Sequence, residues 1–220
     1  MMPFMMGLLL ATLCAVPQQD EPAREAIRKL SERFRDVKTL SARVTQKRKS
    51  ALLETPIVSS GTLCYRRDPA RLVFRMTEPR ITEIHLDRTS YQVYRPDEKR
   101  LERMDFEGDS SAAKLFLVFE PKPEEIGKGF AVRSGEAKDG ALEVHLEPTD
   151  ETVRKRLKKL SLTIAADGTL RRIAVTDGDG DDVEFELSEL KADPDLPAET
   201  FELRVPEGTR VLRHAVKEGG

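Results

Sequence analysis

The chain has 220 residues, with 37 Lys and Arg against 39 Asp and Glu, a net charge of -2 and no tryptophan. That balance excludes a binder driven by nucleic-acid electrostatics, and aromatic residues at 5% are too few for a stacking platform for bases or sugars. The length allows one large domain or two small ones.

Residues 1–16 carry no charged side chain. The run falls short of the roughly 20 apolar residues that a membrane span needs, and it fits the apolar region of a secretory signal. It is expected to be a signal peptide cleaved after Ala15, followed by a linker over residues 17–22. A lipoprotein acylated on Cys14 and a hydrophobic N-terminal helix are the alternatives. With the signal removed, Cys64 is the sole cysteine. It then has no disulfide partner within the chain and is expected in a strand as a small buried hydrophobe.

Residues 23–38 read as a helix. Ala26, Ile27, Leu30, Phe34 and Val37 recur at spacings of three and four, with charged residues between them and Pro22 at the start. Acidic and basic residues alternate on the other face, so the apolar stripe is expected to dock on a sheet rather than on a membrane.

From residue 39 the period changes to two. Strands are expected over residues 40–45, 58–67, 72–77, 84–86, 91–93, 101–104, 141–147, 158–165, 170–176, 183–190 and 201–205. Asp167-Gly168 and Gly178-Asp179-Gly180 are hairpin turn signals. No strand–helix–strand alternation appears, so the sheet is expected to be antiparallel. About ten or eleven strands, each with one apolar face, must curl around an interior or pack on a second layer. Residues 110–120 interrupt the pattern with two serines, an apolar run through Leu115, Phe116, Leu117, Val118 and Phe119, and a stop at Pro121. They read as a short helix that needs burial on several sides, with a strand as the alternative. Residues 120–130 read as a charged loop. A single domain is expected over residues 23–211, with a flexible tail over 212–220.

No catalytic constellation emerges, and neither a metal nor a cofactor is expected. His85, His145 and His214 are scattered, with no acidic or cysteine partner at metal spacing. The run from Asp177 to Asp182 resembles the start of a calcium loop, but Asp182 stands where glycine is needed and Ser188 where the closing glutamate should be. It is read as a solvated hairpin. There is no phosphate-cradling glycine loop and no Gly-x-Ser-x-Gly elbow. What remains is the stretch from Gly61 to Pro96, where short strands set Leu63 and Tyr65 on one face and Arg67 at its rim. An arginine there needs acceptors, and the unpaired carbonyls of a helix C-terminus are natural ones.

These pieces, in this order, resemble the periplasmic outer-membrane lipoprotein carrier family, the LolA-like proteins. The resemblance spans residues 30–211. It rests on the amphipathic helix, the strand Thr39-Leu40-Ser41-Ala42-Arg43-Val44-Thr45-Gln46, and the segment Gly61-Thr62-Leu63-Cys64-Tyr65-Arg66-Arg67-Asp68-Pro69. It continues through Phe74-Arg75-Met76-Thr77-Glu78-Pro79, then Asp87 followed by Tyr91-Gln92-Val93-Tyr94-Arg95-Pro96, the apolar segment near Leu115, and Leu196-Pro197-Ala198-Glu199-Thr200-Phe201 with Val205-Pro206-Glu207-Gly208-Thr209. Tryptophans of the family pattern are replaced by Cys64, Phe74 and Gln92, and Arg88 stands where a turn glycine is usual.

The resemblance implies a mainly β fold, an antiparallel sheet curved into an incomplete half barrel, with the N-terminal helix and a short lid helix covering an apolar cavity. It implies a soluble, monomeric periplasmic carrier. Such a carrier takes acylated lipoproteins from an inner-membrane lipoprotein-releasing transporter, shields their acyl chains and delivers them to an outer-membrane acceptor. The lid latch corresponds to Arg67, with Arg66 as a possible substitute because Asp68 is inserted before Pro69. The expected cavity wall is Leu63, Tyr65, Leu72, Phe74, Met76, Leu115, Phe116, Val118, Leu142, Val144, Leu160, Leu162 and Ile164. The alternative function is a non-transporting domain of the cell envelope that senses lipid or lipoprotein, or acts as a scaffold.

Overall fold

The computed structural model describes residues 20–50, 55–106, 116–155 and 157–215. The expected signal peptide, Leu115 and most of the expected helix over 110–120 lie outside these residues. The chain opens with helix α1 (Glu21–Phe34), then runs through β1 (Thr39–Lys49), β2 (Ile57–Arg66), β3 (Arg71–Glu78), β4 (Thr82–Asp87), β5 (Ser90–Arg95) and β6 (Arg100–Asp105). Helix α2 (Pro123–Gly129) precedes β7 (Phe130–Lys138) and β8 (Ala141–Pro148), and a single turn, α3 (Glu151–Arg154), precedes β9 (Leu157–Ala165). Then come β10 (Leu170–Asp177), β11 (Asp182–Ala192), a 3₁₀ turn (Ala198–Phe201) and β12 (Arg210–Ala215).

The strands form one open sheet in the order β12-β6-β5-β4-β3-β2-β1-β11-β10-β9-β8-β7. Period-two patterning becomes apolar rows that run across the strands. Leu40, Tyr65, Leu72, Leu86 and Tyr91 lie side by side from β1 to β5, and Val144, Leu162, Ile173 and Phe185 from β8 to β11. Each is a chain of directly opposed cross-strand pairs, the unit of sheet stabilisation. The sheet bends toward this face. β3 and β11 are three strand steps apart, about 14 Å on a flat sheet, yet the rings of Phe74 and Phe185 lie 5.3 Å apart.

Four expectations need correction. Among the described residues the sheet has twelve strands instead of ten or eleven, antiparallel as expected except where β12 adds parallel to β6. β12 runs through Ala215 and so takes up the first part of the stretch expected as a tail, including His214. Residues 201–205 are not a strand: Phe201 ends the 3₁₀ turn, whose carbonyls are taken by arginines of β3 instead of a ladder, Arg71 Nη1 to Phe201 O at 3.2 Å and Arg75 Nη2 to Thr200 O at 2.7 Å. The loop expected over 120–130 contains α2, which has Pro123 in its first turn, Glu124 and Glu125 beside it and Lys128 in its last turn. These suit the helix dipole, but Ile126 alone is buried, too little to make a period.

The apolar stripe of α1 (Ala23, Ala26, Ile27, Leu30 and Phe34) is buried, and the helix lies over β7, β8 and β9. Carboxylates tie down its start and the turn that leads from it into β1. Asp20 accepts from the Ser134 amide at 2.8 Å and hydroxyl at 2.6 Å, next to a bulge between Ser134 and Ala137 on the edge strand β7. Asp193 accepts from the amides of Lys38 and Thr39 at 2.7 and 3.1 Å. The Asp20 carboxyl is held below its ordinary pKa by the Ser134 hydroxyl and amide, and that of Asp193 by the two amides it binds.

A lowered folded-state pKa stabilises above the ordinary carboxylate value, about 4, and that contribution is lost as the pH falls through the folded value. The melting temperature should therefore drop on acidification below about pH 4, and less steeply in an Asp20→Asn, Asp193→Asn double variant; equal slopes would show that these carboxylates do not couple to folding. Gly61 is a second test. Opposite Met76 at a register shift, a Cβ there would come within 2.0 Å of the Arg75 carbonyl oxygen. Gly61→Ala should cost about 1–3 kcal/mol in urea unfolding, and a neutral result would show that β3 can give way.

Candidate functional site

The concave face of the sheet is the candidate site. Leu63, Tyr65, Leu72, Phe74, Met76, Phe116, Val118, Val144, Leu160, Leu162 and Ile164 all belong to one buried cluster, and Leu142 packs against it from a half-buried position. Sequence reasoning thus gathered residues that do meet, from the four strands β2, β3, β8 and β9 and from the segment after Leu115. It left out much of what faces them: Ile27, Leu30 and Phe34 of α1, Phe119, Ile126 of α2, and Phe130 and Val132 of β7. In this conformation the chain's own side chains occupy the concavity.

Among the described residues, two pieces cover it. One is α1. The other is the turn at residues 116–120, closed by the amides of Phe119 and Glu120 donating to the Phe116 carbonyl at 2.9 and 2.8 Å. Phe119 stacks on Tyr65 with centroids 5.4 Å apart, and Phe116 tilts against it at 6.4 Å. Offset aromatic pairs of this kind add about 0.5–1.5 kcal/mol beyond burial.

Each cover has its own polar tie to the sheet. Arg67, just past the end of β2, donates from Nε to the Val37 carbonyl at 2.7 Å and from Nη2 to the Phe34 carbonyl at 2.5 Å. The Phe34 oxygen belongs to the last residue of α1, where the dipole favours a cation, and it also accepts the Val37 amide at 3.3 Å; the Val37 oxygen lies in the turn between α1 and β1. The acceptor expected for Arg67 was a helix C-terminus; here one acceptor is the last carbonyl of α1 and the other the Val37 carbonyl beyond it, and neither belongs to the segment near Leu115. That segment is held by Glu120, which accepts the Tyr65 hydroxyl at 2.8 Å on Oε1 and Arg88 Nη2 at 3.1 Å on Oε2. Burial, first, and the adjoining Glu120 carboxylate push the Tyr65 phenol well above its usual range, so it stays a proton donor. Ser31 of α1 joins the two covers by donating to the Pro121 carbonyl at 2.8 Å. Neither Glu120 nor Arg88 was singled out from the sequence as a site residue. The one cue was that Arg88 replaces a turn glycine, a large cation where no side chain is needed.

Arg66 is not a substitute latch. Alternation sends it to the convex face, where its guanidinium sits 4.8 Å over the Phe201 ring. Beneath that ring Cys64 is buried with Val73 and Leu196, and burial raises its thiol pKa. The histidines stay apart. His85 is buried beside Glu83 at 3.4 Å, and His145 meets the Ser161 hydroxyl at 2.9 Å. Among the described residues no group of three or more His, Cys, Asp or Glu could hold a metal ion, and no helix is long and apolar enough to cross a membrane. A groove of about 600 Å³ opens between α1 and α2. Its rim carries Arg24, Arg28, Glu124 and Lys128, and its floor is Ile27, Ile126 and Val132, which also belong to the buried cluster.

The site is thus a curved open sheet whose apolar concavity lies under separately tied covers. The chain belongs to the family described as outer membrane lipoprotein carrier protein LolA, whose profile matches residues 35–204. It is 24% identical over 155 residues to an outer-membrane lipoprotein carrier protein of Cupriavidus taiwanensis, covering 70% of this chain and 71% of that one. To the carrier protein of Ralstonia nicotianae it is 25% identical, with coverage of 70% and 69%. The crystal structure of a conserved protein of Thermus thermophilus shares the fold, with a TM-score of 0.51 at 12% identity, covering 86% of this chain and 98% of that one.

The two adjacent arginines should separate by substitution. Arg67→Met removes two charge-assisted bonds and should cost about 1–3 kcal/mol of stability, with faster amide exchange around residues 34–39. Arg66→Met should leave those amides protected and instead speed labelling of Cys64 by a thiol reagent. Exchange profiles that do not differ between the two variants would refute the assignment of the arginines to opposite faces.

Proposed function

We propose that the chain is a soluble periplasmic carrier that takes the acyl chains of lipoproteins into the concave face of its sheet. It moves them from an inner-membrane lipoprotein-releasing transporter to an outer-membrane acceptor. The observation that carries this reading is the pairing of a wholly apolar interior with two covers held by a few polar ties, Arg67 on α1 and Glu120 on the turn at 116–120. Burying acyl chain yields about 0.8 kcal/mol per methylene, enough to shield a lipidated protein in water. A carrier must also release. When cargo leaves, Phe116 and Phe119 refill the space over Tyr65, so the empty shell does not expose its apolar wall.

Membership of a lipoprotein carrier family supports the same reading. The test has two arms. Purified protein is titrated with a pyrene-labelled fatty alcohol, and cells depleted of the protein are fractionated for outer-membrane lipoproteins. Saturable binding together with lipoproteins stranded in the inner membrane is the expected result. Binding with normal sorting would favour the lipid-sensing role instead, and no binding would remove both. In the same assays Arg67→Leu should slow hand-over of bound cargo; unchanged transfer would take Arg67 out of the release step.

A further inference from the structure

The turn at residues 116–120 presents an unusual sequence of groups to the sheet. Phe116 and Phe119 enter the apolar concavity against Tyr65, and the next residue, Glu120, ends in a carboxylate at the rim. Its two oxygens are divided between the Tyr65 hydroxyl at 2.8 Å and the Arg88 guanidinium at 3.1 Å. That is the outline of an amphiphile, with an apolar body inside and an anion at the mouth. Arg88 lies in the β4–β5 turn with its guanidinium 5.6 Å from the Phe116 ring centroid, so body and head are read at one place.

We propose that this turn is a built-in stand-in for an anionic amphiphile: an acyl chain whose head carries a carboxylate or phosphate oxygen. The tail takes the space of Phe116 and Phe119, and the head takes the two hydrogen bonds now held by Glu120. The proposal rests on the reading that the concavity binds acyl chains, and it adds a preference among them. For a chain to enter, the turn must lift, which takes Glu120 away from both donors. Arg67 does not compete for an incoming anion, since its guanidinium is committed to the Val37 and Phe34 carbonyls. A neutral head leaves Arg88 unpaired and gives the Tyr65 hydroxyl a weaker acceptor. An anionic head restores both as charge-assisted bonds, which are roughly twice as strong as neutral ones. The elevated Tyr65 pKa agrees, because the phenol remains a donor at any ordinary pH.

The experiment is displacement of the neutral pyrene-labelled fatty alcohol from the purified chain at neutral pH by four competitors sharing one tail. Oleic acid and lysophosphatidic acid are anionic; oleyl alcohol and monoolein are neutral. The anionic pair should displace the reporter at about tenfold lower concentration, the worth of one charge-assisted bond. Arg88→Gln should shrink that gap to about twofold, and Arg88 is exposed enough for the variant to fold. Oleic acid ahead of lysophosphatidic acid would identify a fatty-acid carboxylate as the head, and the reverse order a phospholipid phosphate. If all four compete equally in the unaltered protein, or if Arg88→Gln keeps the full preference, the proposal is overturned while the carrier reading stands. If the reporter does not bind at all, the carrier reading fails first.

Discussion

An open sheet that is apolar on its concave side has to put something into the concavity. The rows from Leu40 to Tyr91 and from Val144 to Phe185 make that face continuous across most of the strands, and water against it would cost about 25 cal/mol for each Å² left exposed. The covers answer this demand. Helix α1 lays a five-residue stripe over β7 to β9, and the turn at 116–120 drives two phenylalanines against Tyr65. The remaining polar contacts at the site decide where these covers sit and how readily they leave.

The two ties differ in kind. Arg67 binds two backbone carbonyls, one at the end of α1 and one just after it, so its tie is indifferent to the side chains there. Glu120 offers a side-chain carboxylate to one neutral and one charged donor, and another anion can replace it. A helix carbonyl has no such competitor among lipids. Strength and exchangeability are therefore divided between the covers. This fits a shell in which one cover stays docked while the other yields to a ligand.

Much of the fold was readable in the sequence because period-two patterning and one-sided burial are the same physical fact. Ten of the expected strands have counterparts in the sheet, and the hairpins at Asp167-Gly168 and Gly178-Asp179-Gly180 fall where their turn residues stand. The misses have physical causes. β7 loses its alternation at the bulge between Ser134 and Ala137, α2 buries only Ile126, and β12 exposes Val211 to 49% while pairing along its backbone. Phe201 to Val205 has the alternation of a strand, but the acceptor side of its start is bound by Arg71 and Arg75 rather than by a neighbouring strand. At the site, the shared face of Leu63, Tyr65 and Arg67 followed from alternation. Which helix Arg67 would meet did not, because carbonyls leave no mark in the sequence. Nor did the meeting of Glu120 with Tyr65 and Arg88, which are 55 and 32 residues away along the chain.

The contact between Asp20 and Ser134 has a consequence beyond docking the helix. β7 is the last strand of the sheet, and a free edge offers its amides to any extended chain that drifts past. Here the Ser134 amide is already spoken for by the Asp20 carboxylate, and the register slips just beyond it. An incoming strand would meet a missing donor, then a kink, and a negative charge between them. The residue that anchors the start of α1 thus also removes an edge donor from β7, which makes this margin of the sheet a poor template for another strand.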